Sequence, residues 1–376
     1  MNILITGGAG FIGSNLALSL LKNGHQITVL DILSPQIHGT EPDKSPLFNS
    51  IKNKVKFIHG DVRDKTILMQ ALENIDIVCH LAAETGTGQS MYDIARYTDV
   101  NVQGTAVLLQ AIADGKFPIK KIFLSSSRTI YGEGSYLCES CGCVVPHTRK
   151  AENMAKGIWS LACPHCNSIV HPCATKEDSP PDPQSIYAIT KYCQELLISR
   201  FCNAYSIPYS FLRYQNVYGP GQSLSNPYTG VLSVFTTRLF NNKALEVFED
   251  GKESRDFVFI EDVVRATVKA VESDKANNQI INIGSGCATT IFDLANLLAS
   301  QLNPSIKPVI NGKFRAGDIF TCWADISRAR ELLDYSPQVL VKEGVKRFAE
   351  WARSQAVVKD TLDKALKEMA DKGLYR

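Results

Sequence analysis

Through roughly the first two hundred residues, short Val- and Ile-rich runs alternate with longer stretches whose apolar positions recur at helical spacing. The runs are NILIT, QITVLD, VKFIHGD, IDIVCHLAA, IKKIFLSSS and YSFLRYQNVYG. They are apolar almost throughout, not at every second position, which predicts strands covered on both faces; the helices between them predict parallel pairing. The expected fold class is α/β, a doubly wound parallel sheet of the Rossmann kind. Beyond residue 219 the alternation loosens into a helical stretch at 231–241, the short strands LEVFED and RDFVFI, and helices at 260–273, 290–301 and 327–334. This predicts a smaller α+β lobe over 219–345, with excursions back to the sheet, and a helical tail over 346–376. One segment, 135–183, is rich in Cys, His and Pro and only weakly periodic. It reads as an insertion that divides the main domain into 1–134 and 184–218.

Composition narrows the partners. The 376 residues, 44% hydrophobic and 21% charged, suffice for one large core or two lobes. A formal net charge of +2 and the absence of a Lys/Arg run point away from nucleic acid and anionic membranes, and towards small molecules. The N-terminal MNILITGG enters a strand directly, and no apolar run reaches the roughly 18 residues of a membrane span. A cytoplasmic location is expected.

TGGAGFIG follows the first strand and opens a helix expected over 11–22, which places Gly7, Gly10 and Gly13 in the turn. Glycines there permit close backbone approach to a pyrophosphate, resting on the free N–H groups of Phe11, Ile12 and Gly13 at the positive end of the helix. The second strand ends in Asp31, placed to accept from both hydroxyls of an adenosine ribose. An acid there would repel a 2′-phosphate, so NAD is expected and NADP is not. The plainer alternative is a glycine-rich turn beside an unrelated Asp.

Tyr187 and Lys191 lie four residues apart in the helical pattern SIYAITKYCQELL, hence on one face. A phenol, with a reference pKa of about 10, is a poor base at neutral pH, but a nearby ammonium and a positive nicotinamide favour phenolate. Ser127 ends the strand KIFLSSS, where it can hydrogen-bond a substrate hydroxyl beside Tyr187. Ser127, Tyr187 and Lys191 thus form a candidate hydride-transfer set, in which phenolate takes the proton of a carbinol as its hydride leaves for NAD. In isolation, YxxxK reads as helix surface and the serine as a strand-end hydroxyl bonded to backbone.

Taken in order, TGGAGFIG, GDVRD (60–64), HLAA (80–83), SSSxxxYG, YxxxK, RxxNVYGPGQ (213–222), RDFVFIEDV (255–263) and RAGD (315–318) resemble the extended short-chain dehydrogenases/reductases that act on nucleotide sugars, over roughly 1–345. The resemblance implies that Asp61 and Val62 lie by the adenine, Ala82, Ala83 and Thr85 by the cofactor's ribose and phosphates, and Lys191 against the cofactor as well. It also implies that Asn216, Arg255 and Asp318 hold the substrate nucleotide. A guanidinium at 255 suits a diphosphate, although an ion pair with Asp256 or Glu253 is the plainer reading. Helices at 100–113 and 187–201 carry surplus apolar surface, and the resemblance implies that they pair in a homodimer.

Dehydratases of this family carry an acidic pair directly after the Ser/Thr, and the decarboxylases a Glu at the second position; this chain has Arg128 and Thr129. Without an added acid or base, the set can oxidise C4, let the 4-keto sugar turn over, and return the hydride to the other face. That is a 4-epimerase. AETGTGQSMYDIARYTDVNVQGT, SSSRTIYGEG, NVYGPGQSLSNPYTGVLSVF and GDIFTCWADISRARELL resemble, more narrowly, the bacterial dTDP-L-rhamnose 4-epimerase group. That resemblance implies a dTDP-sugar substrate, dTDP-L-rhamnose interconverting with dTDP-6-deoxy-L-talose, for surface polysaccharides. An NAD(P)-dependent 4-ketoreductase or oxidase would share all these residues. An epimerase of another UDP, dTDP or GDP sugar and a non-catalytic binding protein on this fold are further alternatives.

Two CxxC pairs, Cys138/Cys141 and Cys163/Cys166, punctuate the insertion, each followed by a turn-compatible residue, Gly142 or Asn167. The spacing predicts a structural zinc held by four thiolates. Free thiols or a redox pair is the alternative, and Cys143, His147, His165, His171 and Cys173 leave the ligand set open.

Overall fold

The computed structural model describes residues 1–228, 230–315, 317–356 and 360–375. Thr229, Ala316 of the RAGD motif and, in the tail, Val357, Val358, Lys359 and Arg376 lie outside the described residues. Seven parallel strands form the central sheet: β1 (Asn2–Thr6), β2 (Gln26–Asp31), β3 (Lys56–His59), β4 (Ile77–His80), β5 (Lys121–Ser127), β6 (Tyr209–Tyr214) and β7 (Gln279–Ile283), in the order β7-β6-β5-β4-β1-β2-β3. The strand order reverses between β1 and β4, which opens a crevice at their C-terminal ends. Helices α1 (Phe11–Lys22), α2 (Gly104–Asp114), α3 (Ile186–Tyr205) and α4 (Ile260–Glu272) cover the sheet. α1 and α4 bury Leu16, Leu20, Val263 and Val271 in one core, while α2 and α3 bury Leu108, Ile112 and Ile198 in the other.

Two elements depart from the sequence pattern. β7 escapes it because Gln279 and Asn282 break the apolar run; Asn282 is fully buried and is satisfied by accepting from the Tyr131 hydroxyl and donating to the Thr175 carbonyl. The helix expected over 100–113 begins earlier, at Ile94–Thr98, and passes through a π-turn at Asp99–Gln103 before α2. At that widened turn the buried Asn101 side chain accepts from the Glu84 N–H and donates to Thr190, tying the loop after β4 to α3.

The smaller lobe is built from short pairings: Asn216–Tyr218 with Phe257–Phe259, Glu246–Val247 with Val309–Ile310, and Ser254–Arg255 between Thr289–Thr290 and Thr321–Cys322. α5 (Val341–Arg353) buries Val345, Phe348, Ala349 and Ala352 against it, and α6 (Leu362–Asp371) follows in the tail. Within 135–183, Tyr136–Cys138 is the central strand between Gly142–Val144 and His171–Pro172, both antiparallel to it. Tyr136, Val144, Leu161 and Val170 form a separate small core, completed by Phe320 from the lobe. Among the described residues, no helix is long and apolar enough to cross a membrane.

Candidate active site and thiol cluster

β1 runs directly into the glycine turn. Gly7 has φ +69°, and a Cβ on it would lie 2.7 Å from the Ala82 nitrogen; one on Gly13 would lie 2.4 Å from the Gly7 carbonyl oxygen. A side chain at either position would force β1, β4 and α1 apart. Gly10 differs, since a Cβ there meets only the Gly7 oxygen, at 3.4 Å, and Gly10 lines the cavity at the N-terminus of α1. No side chain caps this helix, so its first-turn N–H groups are available to an anion. Asp31 accepts from the Ala9 N–H at 2.9 Å and the Leu33 N–H at 2.8 Å, one on each oxygen. Its remaining lone pairs suit two ribose hydroxyls, so this cradle fits NAD.

One cavity of about 670 Å³ at the strand C-termini is lined by Gly7, Gly10, Phe11, Ile12, Gly13, Asp31, Asp61, Val62, Ala82, Ala83 and Thr85. Ser127, Tyr187, Lys191 and Asn216 line the same cavity. The structure therefore brings together every residue expected at the cofactor and at the reacting carbon.

Ser127 closes β5 and Tyr187 opens α3, whose N-cap Ser185 accepts from the Ala188 N–H. The Tyr187 phenol and the Ser127 hydroxyl open into the same cavity, close enough for the serine to act on the phenol. Thr129 donates to the Ser127 oxygen twice, from its N–H at 3.2 Å and its hydroxyl at 2.9 Å, which leaves the serine proton to point elsewhere. Burial raises the Tyr187 pKa, while Ser127 and the charge of Arg128 pull it down. Lys191 is held to a pKa of about 7 by burial, against the opposing pull of Glu195. Its ammonium donates to Gln194 Oε1 at 2.6 Å, and Gln194 in turn donates to Thr105 at 2.8 Å. Behind them, burial and the Lys191 charge lower the His80 pKa to about 3, so the ring is neutral between Thr6 and Thr105. The spacing of Tyr187 and Lys191 suggests Lys191 as the charge acting on the phenol; the structure adds Arg128 as a cation that lowers the phenol's pKa.

Arg128 donates from Nε to Asn216 Oδ1 at 2.9 Å, which joins the residue after Ser127 to the substrate end of the cavity. Arg255 and Asp318 meet at 2.9 Å, but as partners of each other: the guanidinium also donates to the carbonyls of Ser254, Ile319 and Phe320. Asp318 is held further by Arg315 at 2.7 Å. Neither Asp256 nor Glu253 takes Arg255; the buried Asp256 accepts from Ser285, Gly286 and Ala324. A diphosphate would thus reach Arg255 only by exchanging with Asp318.

The insertion touches this region through Arg149, a residue without any motif to mark it. Its fully enclosed guanidinium lies between Glu133 and Glu249 and donates to the Asp318 carbonyl at 2.9 Å. Glu133 accepts in turn from the Phe320 N–H at 2.7 Å. Farther out, the sulfurs of Cys138, Cys141, Cys163 and Cys166 all lie within 4.8 Å of one another. Gly142, at φ +76°, and Asn167, at +61°, take up the positive φ that a tight turn after each pair requires. A tetrahedral site with bonds of about 2.3 Å needs sulfurs about 3.8 Å apart, and Cys138 and Cys166 are 3.5 Å apart.

The NAD dependent epimerase/dehydratase family matches residues 3–150 and 163–284. The dTDP-L-rhamnose 4-epimerase of Burkholderia thailandensis is 35% identical over 351 residues, which cover 93% of this chain and 94% of that one. The crystal structure of Thermotoga maritima UDP-glucose 4-epimerase with UDP-glucose aligns at a TM-score of 0.76 and 31% identity, covering 94% of this chain and 99% of that one. Bacillus cereus UDP-glucuronic acid 4-epimerase, in complex with UDP-glucuronic acid and NAD, aligns at 0.76 and 29% identity with the same coverage. By sequence, fold and site, the chain belongs to the NAD dependent epimerase/dehydratase family.

Proposed function

We propose that the protein is a nucleotide-sugar 4-epimerase that keeps NAD bound and interconverts dTDP-L-rhamnose with dTDP-6-deoxy-L-talose. The observation that carries the reaction class is the Ser127–Tyr187 pair opening into the cavity that also holds the glycine turn and Asp31, with no carboxylate directly after Ser127. The relative from Burkholderia thailandensis supports the sugar. Bound NAD supplies a hydride acceptor at C4 and, in the return step, a hydride donor. Tyr187, as phenolate, takes the proton of the C4 hydroxyl, and Ser127 donates a hydrogen bond to the same oxygen. When the 4-keto sugar has turned its other face, Tyr187 gives the proton back, so no net acid, base or reductant is consumed. Arg128 favours the phenolate, Lys191 lies by the cofactor's ribose, and Asn216 with Asp318 orients the nucleotide sugar.

The thiol cluster is read as structural zinc bound by Cys138, Cys141, Cys163 and Cys166. Four thiolates close the tetrahedron and leave no position for water, so the metal would fold residues 135–183 and take no part in the chemistry. The exposed Ile189 and Leu196 of α3 support a homodimer, and eleven free cysteines suit a cytoplasmic enzyme. Proton NMR of the enzyme with dTDP-L-rhamnose and no reductant tests the substrate. The talose-configured sugar should accumulate to a fixed ratio, and Tyr187→Phe should abolish its appearance; a spectrum unchanged with wild-type enzyme rules this sugar out.

A further inference from the structure

Among the described residues lining the large cavity, Gln215 stands apart. It is 4% exposed, and neither its amide nitrogen nor its amide oxygen has a hydrogen-bond partner among those residues. Two other lining residues have unpaired atoms of one kind only: Gln222 an oxygen, and Arg96 two nitrogens, one of which lies 2.7 Å from Asp93. Of the three, only Gln215 presents a buried donor and a buried acceptor together. Its N–H donates to the Ile283 carbonyl at 2.9 Å, and its stem is wedged so tightly that a Cβ on Gly284 would lie 2.7 Å from Gln215 Cγ. The Asp256 carboxylate beside Gly284 is taken by Ser285, Gly286 and Ala324. Burying a carboxamide with both ends unsatisfied costs stability, and a ligand that supplies the partners explains why it is kept.

The strand order indicates which ligand that is. The residues expected at the cofactor follow the sheet from Asp61 after β3 and Asp31 at the end of β2, through the glycine turn after β1 and Ala82 after β4, to Ser127 at the end of β5. Gln215 lies past that point, because Ser127 pairs in register with Tyr214, the last residue of β6, and Gln215 follows it. Next in the chain, Asn216 accepts from Arg128, the residue after Ser127. The amide is therefore on the side of the reacting carbon away from the cofactor. Ser127 and Tyr187 both act on the C4 oxygen, which leaves to a neighbouring carboxamide a substituent of the next ring atom. Of the two atoms that flank C4 in a 6-deoxyhexose, C3 carries a hydroxyl and C5 does not. A hydroxyl donates and accepts, so it can satisfy either end of the amide. A neutral hydrogen bond also releases more readily than a charged one when the 4-keto sugar turns over. We propose that Gln215 binds the C3 hydroxyl of the sugar and that this bond holds the ring in place for hydride transfer at C4.

The inference rests on the proposed function for the reaction, and its test separates the two. Full-length, NAD-loaded wild type and the nearly isosteric Gln215→Met are assayed with dTDP-L-rhamnose and its C3-deoxy analogue, and wild type also with UDP-glucose and UDP-glucuronic acid. NAD content and melting temperature are measured on the same samples. Gln215→Met should lower kcat/KM for dTDP-L-rhamnose about tenfold and keep its NAD. It should melt no lower than wild type, since it removes a buried amide that had no partner. The deoxy analogue should be a poorer substrate than its parent for wild type, and that handicap should shrink about tenfold in the variant, which a merely structural glutamine would not cause. An unchanged kcat/KM, an equal handicap in both enzymes or a lowered melting temperature overturns the proposal. Loss of NAD overturns it too, by assigning the amide to the cofactor. If wild type turns over one of the UDP sugars and not dTDP-L-rhamnose, the proposed substrate fails, and Gln215 is judged by the same comparison on that sugar and its C3-deoxy analogue. Turnover of none of the three removes the inference together with the proposed function.

Discussion

Arg128 occupies the position where related dehydratases place an acid, and its charge acts on Tyr187 within the cavity that both residues line. Burial raises the phenol's pKa and Arg128 lowers it. Removing the guanidinium therefore raises it further, and phenolate is reached only at higher pH. The Arg128→Gln enzyme should show its kcat/KM profile displaced to higher pH, with activity at pH 7 reduced about ten- to a hundredfold. Arg128→Lys keeps the charge but loses the planar donor to Asn216, so its profile should stay near that of wild type while KM rises. Tyr187, Ser127 and the glycine turn are legible as residues because their roles depend on type and spacing. Arg128 was visible only as a missing acid, since a sequence does not say which way a guanidinium points.

Among the elements, the insertion couples most directly to the site. Its own core is small and borrows Phe320 from the lobe, and Arg149 bridges Glu133 and Glu249 beside the Asp318 loop. Arg149→Met would leave two buried carboxylates facing each other without a cation. We expect a loss of about 3–5 kcal/mol in denaturant unfolding, together with a raised KM because Asp318 loses its support. Metal analysis should find one zinc per chain. Chelation under denaturant should release it with a lowered melting temperature, and Cys138→Ser should do the same without a chelator; a chain that contains no metal and melts unchanged in chelator contradicts the zinc reading. The first six sheet strands could be read because each is a buried apolar run. β7 could not, since the polar groups of Asn282 are satisfied only by Tyr131 and Thr175, remote in sequence. The insertion's strands, of two or three residues, are too short to carry a periodicity of their own. Arg149 was likewise illegible, because its two carboxylates lie 16 and 100 residues away.

For the molecule as a whole, Ile189 and Leu196 lie seven residues apart on α3, 44% and 42% exposed, while the expected partner helix at 100–113 carries no exposed large apolar residue among those described. Such a stripe suits the packing of α3 against a second copy. Leu196→Lys should convert a dimer into monomers in sedimentation velocity, and a wild-type protein that sediments as a monomer excludes the pairing. The central claim concerns the path of one hydrogen within the single cavity at the C-terminal ends of β1, β4 and β5. It is tested most directly with dTDP-L-rhamnose carrying deuterium at C4, incubated with the NAD-loaded enzyme in ordinary water without added nucleotide. The account predicts that the talose-configured product retains the deuterium at C4, because the hydride leaves and returns within one site. Product that has lost the deuterium, or conversion that occurs only when NAD(P)H is supplied, would contradict it.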